Sequence, residues 1–248
     1  MSKQRHIRFS IIMPARNEEG NVEAAVRELV ECFEAAGIED YEILGINDNS
    51  SDQTGAILQR LAGAMPTVSY FQTEAPGGFG RAVRLGLQHY RGNAATLVMA
   101  DRSEHPRDAL LYYREIARGA RCVFGSRFIA GGGIYDYPIF KKIINRLGNS
   151  LINILFGVRH GDITNGFKAY HREVLDSLRP LNSNGFELSL ELPLKAIIRG
   201  HPFQTVPVGW RGRVSGRSKF IIPQVCARYL LTVGRLLLLT RSRNSPNK

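Results

Sequence analysis

RFSIIMPARNEE, residues 8–19, is the stretch from which the fold can be read. Phe9, Ile11, Ile12 and Met13 form a short apolar run closed by Pro14, and a polar cluster follows at once. A run of that length bounded by proline reads as a buried strand. Residues 18–36 then take helical spacing, with Val22, Ala25, Val26, Leu29, Val30 and Phe33 on one face. The alternation continues along the chain. Strands are predicted at 41–46, 68–72, 95–100, 121–125 and 203–207, and helices at 51–62, 80–90, 137–156 and 188–199. The second helix finds its cap within Ser50–Asp52. Strands alternating with helices predict an α/β fold, a mostly parallel sheet with helices on both faces.

The chain has 248 residues and is 44% apolar, enough for one sizeable α/β core. Its charge is unevenly placed. All 22 acidic residues lie at or before Glu191 and balance 22 of the 33 Lys/Arg, so residues 192–248 carry the whole net charge of +11. That basic end also holds the most apolar run, IIPQVCARYLLTVGRLLLLT. Wound as a helix, the run places Gln224, Arg228, Thr232 and Arg235 in one stripe about 80° wide, with aliphatics around the rest. This suits an amphipathic helix lying in a membrane interface more than one packed on its own domain or on a second subunit, because a basic tail (Arg241, Arg243, Lys248) follows it. No run reaches the roughly 18–20 apolar residues that span a bilayer. The polar start, MSKQRHIRFS, does not read as a secretory signal, and three scattered cysteines (Cys32, Cys122, Cys226) read as reduced thiols of a cytosolic protein. The basic segment interleaves with aliphatics instead of aromatics, which argues against nucleic acid as partner. The expected division is one domain over residues 1–220 and a basic amphipathic appendage over 221–248.

Three strands end in polar clusters: Pro14-Ala15-Arg16-Asn17-Glu18-Glu19, Asn47-Asp48-Asn49-Ser50-Ser51-Asp52 and Asp101-Arg102-Ser103-Glu104-His105-Pro106. In open α/β sheets ligands bind beyond the carboxyl ends of the strands. Each cluster alone reads as an ordinary helix cap. Together they converge on one crevice, where acids and amides grip sugar hydroxyls, base N–H groups or a divalent cation on a diphosphate. A dinucleotide fold is excluded because no GxGxxG follows the first strand, and no P-loop is present.

The ordered set PARNEEGNV, INDNSSDQT, GGFGRAVRLGL, GSRF, DITNGFKAY, GFELSLE and GRVSGRSKF resembles family 2 glycosyltransferases of the GT-A fold. Within them it is most similar to dolichol-phosphate mannose synthases and bacterial polyprenyl-phosphate glycosyltransferases. The resemblance runs from about Phe9 to Phe220. It implies that Pro14, Ala15, Asn17, Glu18 and Asp48 surround the nucleotide of a nucleotide-sugar. It also implies Mg²⁺ or Mn²⁺ at an Asp-x-Asp motif after the third long strand, and here the chain departs from the pattern. The two family acids fall at Ala100 and Arg102, with Asp101 between them. Asp101 and Glu104 remain as candidate metal ligands and catalytic acids, and Arg102 is a cation able to replace part of the metal's charge on the phosphates. Arg127, Arg146 and Lys168 are implied to hold an acceptor phosphate. Arg213 and Lys219 would close on the donor diphosphate from a loop hinged at Gly212 and Gly216. Glu187 and Glu191 match acids near the family's active site.

The implied reaction is transfer of one sugar, with GDP-mannose or UDP-glucose as donor, to a polyprenyl phosphate at the cytoplasmic membrane face by a peripheral, inverting enzyme. A membrane protein partner is a further possible contact of the Leu236–Leu239 run. An anionic acceptor needs cations and positioning instead of a general base. The absence of Gln-x-x-Arg-Trp argues against a processive polysaccharide synthase. Two alternatives stay open: transfer to a hydroxyl of a glycolipid or glycan, with Glu187, Glu191 or Glu104 as base, or an inactive homologue serving as a membrane-bound binding subunit.

Overall fold

The computed structural model describes residues 7–136, 138–212 and 222–244. In chain order its elements are β1 (Phe9–Ala15), α1 (Val22–Ala35), β2 (Tyr41–Asn47), α2 (Thr54–Ala64), β3 (Val68–Gln72), α3 (Phe79–His89) and β4 (Ala94–Leu97). Then follow α4 (Pro106–Ala117), β5 (Cys122–Ser126), β6 (Gly133–Tyr135), α5 (Ile139–Phe156), β7 (Lys168–His171) and α6 (Arg172–Ser177). The last are α7 (Leu188–Ile198), β8 (Gln204–Pro207), β9 (Gly209–Arg211) and α8 (Ile222–Asn244).

The main sheet runs β3-β2-β1-β4-β7-β5-β8, and β6 pairs with β9 in a small second sheet. All main-sheet pairings are parallel except those of β7, which is antiparallel to both neighbours. β7, the four residues KAYH, was not expected from the sequence. So short a segment shows no periodicity of its own, and its place is set by pairing with β4 and β5. Helix α4 was also not anticipated, although Pro106 at its first position and the His105 cap mark its start.

Period-2 alternation in β1 divides the core into two layers. Phe9, Ile11 and Met13 face α1, α2 and α4, while Ile12 joins α3, α6 and α7 on the other side. Gly86 lets α3 approach the sheet, since a Cβ there would stand 2.5 Å from Ile12 Cγ2. Helix α7 is buried almost all round, and α8 packs on it. Val233 and Leu236 of α8 belong to the second core layer, so the segment expected as an appendage is a packed element of the body. Of its sequence-predicted polar stripe Gln224, Arg228 and Arg235 are exposed and Thr232 is buried, and Arg235 lies 3.6 Å from Glu191.

β2 lies on one side of β1 and β4 on the other, so the strand order reverses at β1. In open α/β sheets such a reversal marks the ligand crevice beyond the strand ends.

Candidate functional site

The first wall of the crevice is two loops knitted together. Asn17 N–H donates to Ser50 Oγ at 3.0 Å, and Asn17 Oδ1 accepts from Ser51 N–H at 2.8 Å. Glu18 N–H donates to Thr54 Oγ1 at 2.7 Å, and Gln53 N–H to Glu19 Oε2 at 2.9 Å. Asn17 and Asn49 adopt left-handed backbone, φ 50° and 52°, a conformation asparagine tolerates better than most residues. Pro14 and Ala15 are buried at the end of β1, with Asp48 N–H bonded to the Ala15 carbonyl at 2.8 Å.

Asp48 ties this wall to a third loop. Its Oδ1 accepts from Gly78 N–H at 2.7 Å and from the Thr73 hydroxyl at 3.1 Å. The Gly78–Gly80 segment in turn lies against the 183–185 backbone. Gly80 N–H donates to the Asn184 carbonyl at 3.0 Å, and a Cβ at Gly80 would stand 2.5 Å from the Ser183 carbonyl oxygen. Glycine is required at that close approach.

Behind Ser183 stands Glu191, fully buried. Its carboxylate accepts from Ser183 N–H at 2.8 Å and Asn182 N–H at 3.1 Å, and pairs with Lys195 at 2.7 Å. Burial opposes its ionisation, but Lys195 and the loop N–H groups outweigh that and hold its pKa below the usual carboxylate value. Glu187 Oε1 accepts from Gly185 N–H at 2.9 Å and Asn184 N–H at 3.1 Å. These two acids, candidates for a base from the sequence, are engaged in holding one loop.

The second wall follows β4. Asp101 is buried, with Oδ1 accepting from Ser103 N–H at 3.1 Å. Glu104 has its carboxyl inside the protein, Oε2 accepting from Met99 N–H at 3.0 Å. Burial, and then the neighbouring Asp101 charge, push its pKa up to about 8. Two carboxylates that crowd each other in this way suit a divalent cation, which relieves the repulsion. Among the described residues no group of three His, Cys, Asp or Glu converges as a metal cage. The pair therefore fits Mg²⁺ or Mn²⁺ only in a shared site, completed by donor phosphates and water. The segment Trp210–Arg211 lies over this loop, with Arg211 N–H bonded to the Ser103 carbonyl at 2.9 Å. Arg213 and Lys219 lie outside the described residues.

Three cations expected from the sequence are placed differently. Arg102, at φ 61°, directs its guanidinium at Glu28 of α1, Nε to Oε2 at 3.2 Å, and so faces an acid of α1. Lys168 does not reach the crevice. Its ammonium is buried on the carbonyls of Ile163 and Asn165, and burial lowers its pKa to about 7. Arg127, its side chain 8% exposed, is gripped by Asp162, with Nε to Oδ2 at 2.8 Å and Nη2 to Oδ1 at 2.7 Å. Sequence reading missed this clamp, although both motifs were visible, because their meeting is a matter of tertiary pairing. Arg146 on α5 is exposed and lies over the Phe128 ring at 4.7 Å.

Beyond this wall the surface turns apolar. α5 exposes Ile139, Phe140, Ile143, Leu147 and Ile154, the last 79% exposed, and α8 beside it exposes Leu230, Leu231 and Leu238. Among the described residues no helix is long and apolar enough to cross a membrane.

The fold is α/β of GT-A type, with acids at its strand ends. Solved structures of glucosyl-3-phosphoglycerate synthase from Mycobacterium tuberculosis share the fold. The complex with phosphoglyceric acid superposes with TM-score 0.73 at 15% identity, covering 93% of this chain and 80% of that one. The complex with Mn²⁺, UDP and glucosyl-3-phosphoglycerate gives TM-score 0.70 at 14% identity, with coverage of 93% and 80%. Residues 10–179 match the model of glycosyl transferase family 2, and the chain belongs to that family. It is 30% identical over 218 residues to a polyprenol monophosphomannose synthase of Mycolicibacterium smegmatis, covering 86% of this chain and 80% of that protein. It is 26% identical over 234 residues to a dolichol-phosphate mannosyltransferase of Pyrococcus furiosus, covering 93% of this chain and 64% of the relative.

Proposed function

We propose that this glycosyltransferase moves a single sugar from a nucleotide-sugar, of GDP-mannose or UDP-glucose type, to a polyprenyl phosphate at the cytoplasmic face of a membrane. The observation that carries the reading is the exposed apolar face of α5 and α8 beside a crevice of nucleotide-binding type. Aliphatic helix faces flanked by basic residues suit an interface helix better than open water. The names of the two curated relatives support the same acceptor class.

Pro14, Ala15, Asn17, Glu18 and Asp48 would surround the base and ribose. Asp101 and Glu104 would hold a divalent cation against the diphosphate, where it supplies charge neutralisation. Arg213 and Lys219 would close on the same diphosphate, and Arg127 and Arg146 would border the acceptor side. A phosphate oxygen of the acceptor attacks the anomeric carbon in line. The new C–O bond forms as the bond to the diphosphate breaks, with inversion, and the nucleoside diphosphate leaves with the electron pair. The acceptor is already an anion, so no base is required. Engagement of both Glu187 and Glu191 with backbone N–H groups is consistent with this.

The test is incubation with labelled GDP-mannose and UDP-glucose, each with a prenyl phosphate. An acid-labile labelled lipid is the expected product. A product stable to mild acid would replace this reading with transfer to a hydroxyl. Binding of nucleotide with no turnover on a broad donor panel would replace it with a binding subunit.

A further inference from the structure

The acceptor phosphate must sit where the apolar helix face meets the crevice, because its lipid tail and its reacting oxygen belong on opposite sides of that line. Two of the cations assigned to it from the sequence are otherwise engaged: Lys168 is buried on carbonyls, and Arg127 is forked onto Asp162. The boundary nevertheless has a second arginine besides Arg146. Arg228 projects from α8 and is exposed. Its Nη1 lies 2.7 Å from the point a Cβ on Gly185 would occupy, and Glu187 Oε2 lies at the same 2.7 Å. The ends of both side chains thus share the space over the Gly185 backbone. Among the described residues no carboxylate forms an ion pair with Arg228.

The turn that carries Arg228 is fixed. Tyr229, the next residue, bonds Ser189 Oγ at 3.0 Å and the Phe186 carbonyl at 3.4 Å, so this turn of α8 is pinned to the start of α7. Burial pushes the Tyr229 hydroxyl up to about 12. Leu230 and Leu231, two and three residues on, belong to the exposed apolar face. Arg228 thus stands at the seam between the exposed apolar face and the 183–187 loop that backs the Gly78–Gly80 wall.

We propose that Arg228 of the C-terminal helix binds the phosphate of the lipid acceptor, making α8 a wall of the active site as well as a membrane contact. This rests on the polyprenyl phosphate reading above. A guanidinium offers a planar fork that matches two phosphate oxygens, and its long stem reaches headgroup depth from an interfacial helix.

The experiment is steady-state transfer by the full chain to a short, water-soluble prenyl phosphate, without membranes, for Arg228→Gln and Arg228→Lys. Acceptor KM is expected to rise at least about tenfold in Arg228→Gln, as for loss of a charged hydrogen bond. Donor KM should stay within about twofold and Arg228→Lys should recover part of the loss, since its ammonium keeps the charge but lacks the fork. Gly185→Ala, which displaces the guanidinium while leaving it present, should raise acceptor KM in the same way and covers the case of an unfolded Arg228→Gln. An unmoved acceptor KM, an equal rise in both KM values, or a defect seen only in pelleting with anionic vesicles overturns the assignment. Wild-type enzyme that never turns over a prenyl phosphate overturns the underlying reading and this assignment together. Turnover with unchanged variants overturns the assignment alone.

Discussion

In Glu191→Ala the Lys195 ammonium, only 7% exposed and 2.7 Å from the carboxylate in the native protein, is left inside without its counter-charge. Removing one partner of a buried ion pair costs about 3–5 kcal/mol. Asn182 and Ser183 N–H groups lose their acceptor as well. Lys195 keeps the carbonyls of Leu178 and Pro180, so the lower end, about 3 kcal/mol, applies. For a chain of this size each kcal/mol moves Tm by about 2–4 °C, which gives a fall of about 6–12 °C. Thermal unfolding followed by circular dichroism near neutral pH measures it. The pH dependence supplies a second arm through Glu191→Gln. The folded pKa of Glu191 is lowered from 4.5, so its stabilisation is complete above that value and is lost as pH falls through the folded pKa. The Tm gap between wild type and Glu191→Gln should therefore be full at neutral pH and narrow on acidification. A Glu191→Ala protein that melts with the wild type while losing all transfer would refute the structural role and make Glu191 a reacting base.

Gly80→Ala puts a methyl 2.5 Å from the Ser183 carbonyl oxygen, so it should cost about 1–3 kcal/mol and weaken nucleotide binding, measured by titration with the nucleoside diphosphate. Asp48→Ala removes the acceptor shared by Gly78 N–H and Thr73; transfer should fall at least about 100-fold while the circular dichroism spectrum stays native, and a near-normal rate would remove Asp48 from the donor site. Ile154→Asp and Leu231→Asp, at positions 79% and 75% exposed, should change stability by no more than about 0.5 kcal/mol yet abolish pelleting with anionic vesicles. Because Arg102 faces Glu28 and the Asp101–Glu104 pair suits a shared cation, EDTA should stop transfer and Mn²⁺ or Mg²⁺ restore it. Full activity in EDTA would return charge neutralisation to Arg102.

The strand-end clusters were legible because they are local. The residues of PARNEE and INDNSSD lie next to the strand ends that present them, and parallel strands bring such ends to one edge without further information. Most strand and helix spans were legible for the same reason, since periods of 2 and 3.6 are properties of short windows, whereas α4 and β7 were not. The acceptor side was less so. The proposed one would draw on α5, α7, α8 and the loop after β5, far apart in the chain, and nothing in GSRF shows that Arg127 will be clamped by Asp162.

By itself the sequence determined the α/β class, the strand-end acids, the family resemblance and a basic, aliphatic C-terminus. The tertiary structure alone decided what each charge faces. Burial turned Lys168 onto backbone carbonyls and Glu191 into a loop anchor, because a charge removed from water must take the nearest compensating partner. Packing decided the C-terminal helix in the same way. Its core-facing side was set by packing on α7, where Val233 and Leu236 join the second core layer, and that choice left Leu231 outward and set Arg228 beside Gly185. Hydrophobic periodicity states how many faces a helix has, and only the surface it meets states which one is covered.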